Sequence, residues 1–110
     1  DSELRALRDM LADDGMVGIV QHRAKDDASY AMSNGTKGYL KQASVVALFE
    51  LNGFELVSDS EINANPADTS DYERGVWTLP PVLALGDADK AKYQAIGESD
   101  RMTLLFKKRP

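Results

Sequence analysis

Residues Met16-Val17-Gly18-Ile19-Val20-Gln21-His22-Arg23 form a continuous apolar run that ends abruptly in an amide, an imidazole and a guanidinium. No other stretch of the chain has that shape. A short, β-branched apolar run behind an Asp13-Asp14-Gly15 turn predicts a strand over 16–21, buried on both faces as in a parallel sheet layered between helices. Ligands of such sheets gather at the carboxyl ends of the strands, which puts His22 and Arg23 at a polar mouth.

The flanking segments fit an α/β layer. Ser2 is a candidate N-cap, and Leu4, Leu7, Met10 and Leu11 behind it fall at helical spacing opposite Arg5, Arg8 and Asp9. Because this helix runs through a tight turn straight into the apolar strand, it reads as the tail of a crossover whose own strand is missing. The expectation is a partial domain. Residues 24–38 are polar and rich in Gly, Ser, Asn and Asp, and they predict a long loop. A helix is expected from Gln42 to Asn52, capped by Gly53, and a strand from Phe54 to Ile62. Strand, crossover helix and strand form a βαβ unit whose two strands run parallel.

Residues 63–100 then read as an insertion between the last two strands of a single domain spanning 1–110. The insertion holds Pro66, Pro80 and Pro81, the only tryptophan (Trp77), and a short helix from an Asp87 cap to Ala95 closed by Gly97. Arg101 to Lys108 alternates, with Met102, Leu104 and Phe106 on one side. By its pattern alone it is a half-exposed antiparallel strand near a sheet edge.

Composition removes several functions. With 13 basic and 18 acidic residues the net charge is -5, which argues against nucleic acid as a partner. No apolar stretch reaches the ~18 residues of a membrane span. The absence of cysteine excludes disulfides, thiolate metal sites and a cysteine nucleophile, while leaving the compartment open. One histidine and no convergent carboxylates leave no zinc set. Asp59, Glu61, Asn63, Asn65 and Asp68 have the spacing of calcium-loop oxygens, but the turn glycine is missing and Ser70 stands where a bidentate Glu belongs. Gly35-Thr36-Lys37-Gly38 lacks the spacing of a phosphate loop, and no Gly-x-Ser-x-Gly elbow is present.

Three side chains keep two readings each. His22, the sole histidine, is a loop anchor or a general base. Arg23 pairs with a nearby carboxylate such as Asp26 or binds an anionic substrate. Trp77 is a packing anchor or a ligand contact.

The segments Leu11 to Ala24, Gly38-Tyr39-Leu40 leading into Val45-Val46, and Asn52-Gly53-Phe54-Glu55-Leu56-Val57 resemble the second half of bacterial predicted class I S-adenosylmethionine-dependent methyltransferases. The stretches Ser60 to Pro66, Gly75-Val76-Trp77-Thr78-Leu79-Pro80-Pro81 and Ile96 to Leu104 resemble the same family, so the likeness covers nearly the whole chain. It implies a partial Rossmann-like methyltransferase sheet with flanking helices. In that sheet 16–21 is the fifth strand, 54–62 the sixth, and 101–108 the seventh, antiparallel and inserted between the other two.

The family's cofactor groups lie on its first, second and fourth strands, none of which is in this sequence. The resemblance therefore implies S-adenosylmethionine for the full-length protein and no cofactor-binding residue here. It implies that this half faces a small-molecule methyl acceptor, with His22, Arg23, Asn63, Asn65 and Trp77 placed by position around it, and that the chain alone is inactive. A three-stranded remnant with its helices on one face leaves the other face uncovered, to be closed by self-association, by exchange of an element or by the insertion. The alternative is a non-catalytic α/β binding or assembly module that keeps the scaffold without the cofactor site.

Overall fold

The computed structural model describes residues 1–110. In chain order it contains α1 (Ser2–Met10), β1 (Met16–His22), α2 (Tyr30–Ser33), α3 (Gln42–Leu51), β2 (Phe54–Ser60), a 3-10 turn (Gly75–Thr78), α4 (Lys90–Ile96) and β3 (Arg101–Lys108). Asp1 caps α1, its carboxylate accepting from the Glu3 and Leu4 N–H groups at 2.8 and 3.3 Å, so the cap lies one residue before the expected Ser2. The expected loop after Arg23 contains one helical turn, α2. α4 starts at Lys90, three residues beyond the expected Asp87 cap.

The fold is α/β with a three-stranded sheet in the order β1-β3-β2. β3 runs antiparallel to both neighbours, pairing Ile19 with Leu104 on one side and Leu56 with Phe106 on the other. β1 and β2 therefore run in the same direction without touching, separated by the last strand of the chain. The alternating pattern of 101–108 had suggested a place near an edge; its strand is central.

Two expectations for β1 are corrected. It forms a margin of the sheet within this chain, and none of its residues is buried. Val17 and Ile19 pack on the core while Met16 and Val20, on alternate positions, are 53% and 55% exposed. The apolar run is amphipathic because α1 and α3 cover only one face; the other is open at Met16 and Val20 and meets the insertion only at its polar end. β2 ends at Ser60 instead of Ile62, and a register irregularity between Leu56 and Ser58 leaves Val57 exposed.

The core is the helix-covered face. Met102, Leu104 and Phe106 alternate inward from β3 and meet Phe54 of β2 and Val45 and Phe49 of α3, with Leu4, Leu7 and Leu11 closing from α1. Phe49 stacks on Phe106 at 4.4 Å between ring centroids and meets Phe54 edge-on at 5.4 Å. No helix is long and apolar enough to cross a membrane.

A second, smaller cluster of Ala24, Tyr39 and Val76 joins the loop after β1 to the 3-10 turn. Two glycines permit that approach. Gly38 and Gly75 both have positive φ (85° and 67°), and a Cβ would collide with the Val76 side chain at the first and with the Lys37 backbone at the second.

The aromatic trio yields a stability prediction. Phe106→Ala should cost about 3–5 kcal/mol, enough to threaten so small a domain, whereas Val20→Lys on the open face should change stability by less than about 0.5 kcal/mol. Urea unfolding followed by circular dichroism checks both, and equal effects at the two positions would contradict the one-sided core.

Candidate functional site

The register of β1 on β3 builds the polar end of the sheet. His22 lies opposite Arg101, so the chain just before β3 faces the chain just after β1, and the Arg23 N–H donates to the Asp100 carbonyl at 2.8 Å. The Leu40 N–H donates to the His22 carbonyl at 3.1 Å and the Ala24 N–H to the Leu40 carbonyl at 2.9 Å, which brings Tyr39 beside the same end.

Arg23 is saturated by the protein. Its guanidinium forks onto Asp100 through Nε and Nη2, both at 3.0 Å, and onto Glu61 through Nη1 and Nη2 at 3.2 and 2.6 Å. Nη1 also donates to Gln42 Oε1 at 2.8 Å. The partner is thus not the expected Asp26 but two carboxylates from beyond the second strand and before the third. The pair with Asp100 is mostly shielded from solvent. Burial raises the Asp100 pKa, yet the Arg23 fork and the Asn65 N–H outweigh it and hold the carboxyl below its ordinary value. Glu61, on the exposed side, is lowered by the Arg23 hydrogen bonds.

Asp68 is fully buried. It accepts from the Tyr39 hydroxyl at 2.9 and 3.2 Å and from the Ser70 and Asp100 N–H groups at 2.8 and 2.9 Å. Burial first, then the Asp68 charge, pushes the Tyr39 hydroxyl far above the ordinary phenol range, so it stays a donor.

Asn63 and Asn65 brace the insertion. Asn63 Nδ2 donates to Thr103 Oγ1 at 2.9 Å, and Asn65 Nδ2 donates to the Ile96 and Glu98 carbonyls at 2.7 Å each. These amides hold the insertion's two ends together, and neither residue lines a cleft described below.

His22 and Trp77 do come together. They share a cleft of about 150 Å³ whose walls include Leu79, Pro80, Ser99 and Arg101. His22 Nδ1 and Ser99 Oγ share a 2.5 Å hydrogen bond, and the other ring nitrogen has no partner in the protein. Burial, then the Arg101 charge, lowers the imidazole pKa, leaving it neutral at pH 7. Trp77 is 45% exposed, and so presents part of its ring to solvent. Arg101 and Ser99 had not been singled out in the sequence; the visible signal was the polar run Gly97 to Arg101 placed directly before an alternating strand.

Arg23 instead borders a larger, open cleft of about 670 Å³ with Lys25, Gln42, Glu50, Glu61 and Asp100. Its charge is already neutralised, four carboxylates (Asp26, Glu50, Glu61 and Asp100) line the cleft, and no aromatic side chain is there to stack on an adenine. The smaller cleft lies below the roughly 300–1,000 Å³ usual for ligands of drug size. The residues of this chain therefore do not fit S-adenosylmethionine at either place. No three His, Cys, Asp or Glu side chains converge in a group that could hold a metal ion. Comparisons with protein-family models, with curated proteins and with solved structures return no match.

Two titrations follow. His22 has a folded-state pKa below its ordinary 6.5, so the native state binds fewer protons than the unfolded chain and the resulting stability is lost as pH falls below about 6.5. Asp100 is likewise depressed, and its contribution disappears in a second, more acidic step below about pH 3.8. Unfolding free energy measured against pH should fall in those two steps. His22→Gln should remove the first and Asp100→Asn the second; a profile unchanged by both substitutions would contradict the assignments.

Proposed function

We propose that this chain forms the acceptor side of an S-adenosylmethionine-dependent methyltransferase, with the cleft between His22 and Trp77 receiving a small-molecule methyl acceptor. The family resemblance of the sequence motivates the reaction class. The observation that carries the site is that His22 and Trp77, distant in sequence, meet in one cleft at the carboxyl end of β1. Ligands of α/β sheets occupy that end. The strand order, with the antiparallel strand between the two parallel ones, agrees with the order the resemblance implies.

Within this reading the chain's residues bind and orient the acceptor. Trp77 supplies an apolar ring for it to lie against. His22, held by Ser99 and neutral near pH 7, accepts at its free ring nitrogen the proton released when the acceptor is alkylated. Arg23 acts at a distance, holding the loop after β1 to the start of β3.

The test uses the product of the complete reading frame that contains residues 1–110. It should transfer labelled methyl groups from S-adenosylmethionine to a member of a small-acceptor panel. His22→Gln should lower kcat by about 10²-fold or more, and Trp77→Ala should mainly raise KM. Absence of S-adenosylmethionine binding in calorimetry of that product would overturn the reading and favour the non-catalytic module.

A further inference from the structure

We propose that the His22–Trp77 cleft is a binding site for a small aromatic carboxylate, its acid group held by Arg101 and its ring lying between Trp77 and the apolar wall of the insertion. The inference rests on the acceptor-side reading for the role of the ligand, while the binding itself is argued from the cleft.

Arg101 is a cation without a partner. It is half-buried, and its guanidinium makes no hydrogen bond and no ion pair with any group of the protein. Its Nε is buried with no acceptor. An unsatisfied buried donor costs about 1–3 kcal/mol, and more when the group is charged. The two terminal nitrogens are equally unpaired but not buried, so they are the donors an anion in the cleft can meet. Arg23, at the same end of the sheet, shows the contrast: each of its nitrogens has an acceptor.

The rest of the cleft selects the ligand. A guanidinium presents parallel N–H groups that match the two oxygens of a carboxylate. Val76, Leu79, Pro80 and Val82 are apolar, and Trp77 offers a ring to stack on. The volume of about 150 Å³ suits one ring with its acid group and excludes nucleotides. Glu98 also lines the cleft and repels an anion, so it sets an upper bound on affinity and supplies a control.

Because Trp77 is the only tryptophan, its fluorescence reports on this cleft alone. Titration of the purified protein with benzoate should give a saturable change in emission. Benzamide, of the same shape without charge, should bind about tenfold or more weakly, and inorganic phosphate should not compete. Arg101→Gln should weaken benzoate about tenfold to a hundredfold and leave benzamide unchanged.

Should that variant fold poorly, Val82→Glu tests the same field from an exposed position, and it should weaken benzoate more than benzamide; Glu98→Gln should tighten benzoate. Equal binding of benzoate and benzamide, tighter binding of phosphate, or indifference of benzoate to all three substitutions would overturn the proposal. Methyl transfer to an uncharged acceptor by a protein that ignores benzoate would sink this inference and leave the previous one standing. Benzoate binding without methyl transfer would do the reverse.

Discussion

The structure depends on the insertion of its last strand between two strands that do not touch each other. β1 and β2 have no ladder in common; each is completed only by β3, along Met16 to His22 on one side and Phe54 to Ser60 on the other. Core and site form in the same event. One register brings Met102, Leu104 and Phe106 beneath the helices and sets Ser99, Asp100 and Arg101 against His22 and Arg23. A slip of one residue would turn the apolar side of β3 to solvent and separate every pair at the polar end. The contacts that define the fold are therefore long-range, and loop closure must precede most of its stabilisation.

The polar network at that end fixes the insertion that forms one cleft wall. Asp100 donates its N–H to Asp68 and accepts from Arg23 and from the Asn65 N–H, so one residue links β1, the start of the insertion and the start of β3. The Arg101 N–H to Asn63 carbonyl bond, at 3.0 Å, and the Asn65 amide close the same base. With its ends joined, the segment carrying Trp77 and Pro80 is a closed loop on a rigid foot. Buried carboxylates at such a junction are tolerated because each oxygen has a donor, a cation with an amide for Asp100 and a hydroxyl with two amides for Asp68.

Much of this organisation was legible in the chain. Helical spacing located α1 and α3, alternation located β3 residue for residue, and the abrupt polar ending of the 16–23 run located the end where His22 and Trp77 meet. What failed was burial. A run of Val, Ile and Gly does not reveal how many faces will be covered, since that depends on which helices pack on the sheet. Val17 and Ile19 are accordingly core while Val20 is solvent-facing. Partner choice was equally hidden. Asp26 lies three residues from Arg23 and lines the same cleft without bonding to it, whereas Asp100 arrives from the far end of the chain through strand pairing. Asn63 and Asn65 instead join chain segments, the first through the Thr103 hydroxyl and the second through the Ile96 and Glu98 carbonyls.

The two arginines at this end illustrate why residue type does not decide function. Both are near acidic residues in sequence, Arg23 before Asp26 and Arg101 directly after Asp100. Neighbouring side chains of an extended segment point to opposite sides, so Asp100 turns away from Arg101 and toward Arg23. One carboxylate can serve one fork, and Glu61 completes the same guanidinium from the exposed side. Arg101 is left on the other side of the strand, in a cleft with a neutral imidazole, an indole, prolines and Glu98, with which it makes no ion pair. The pleat of a single strand thus divides one pair of opposite charges from one unmatched cation. The matched pair holds the end of the sheet together, and the unmatched cation is what the end of the sheet has to offer a ligand.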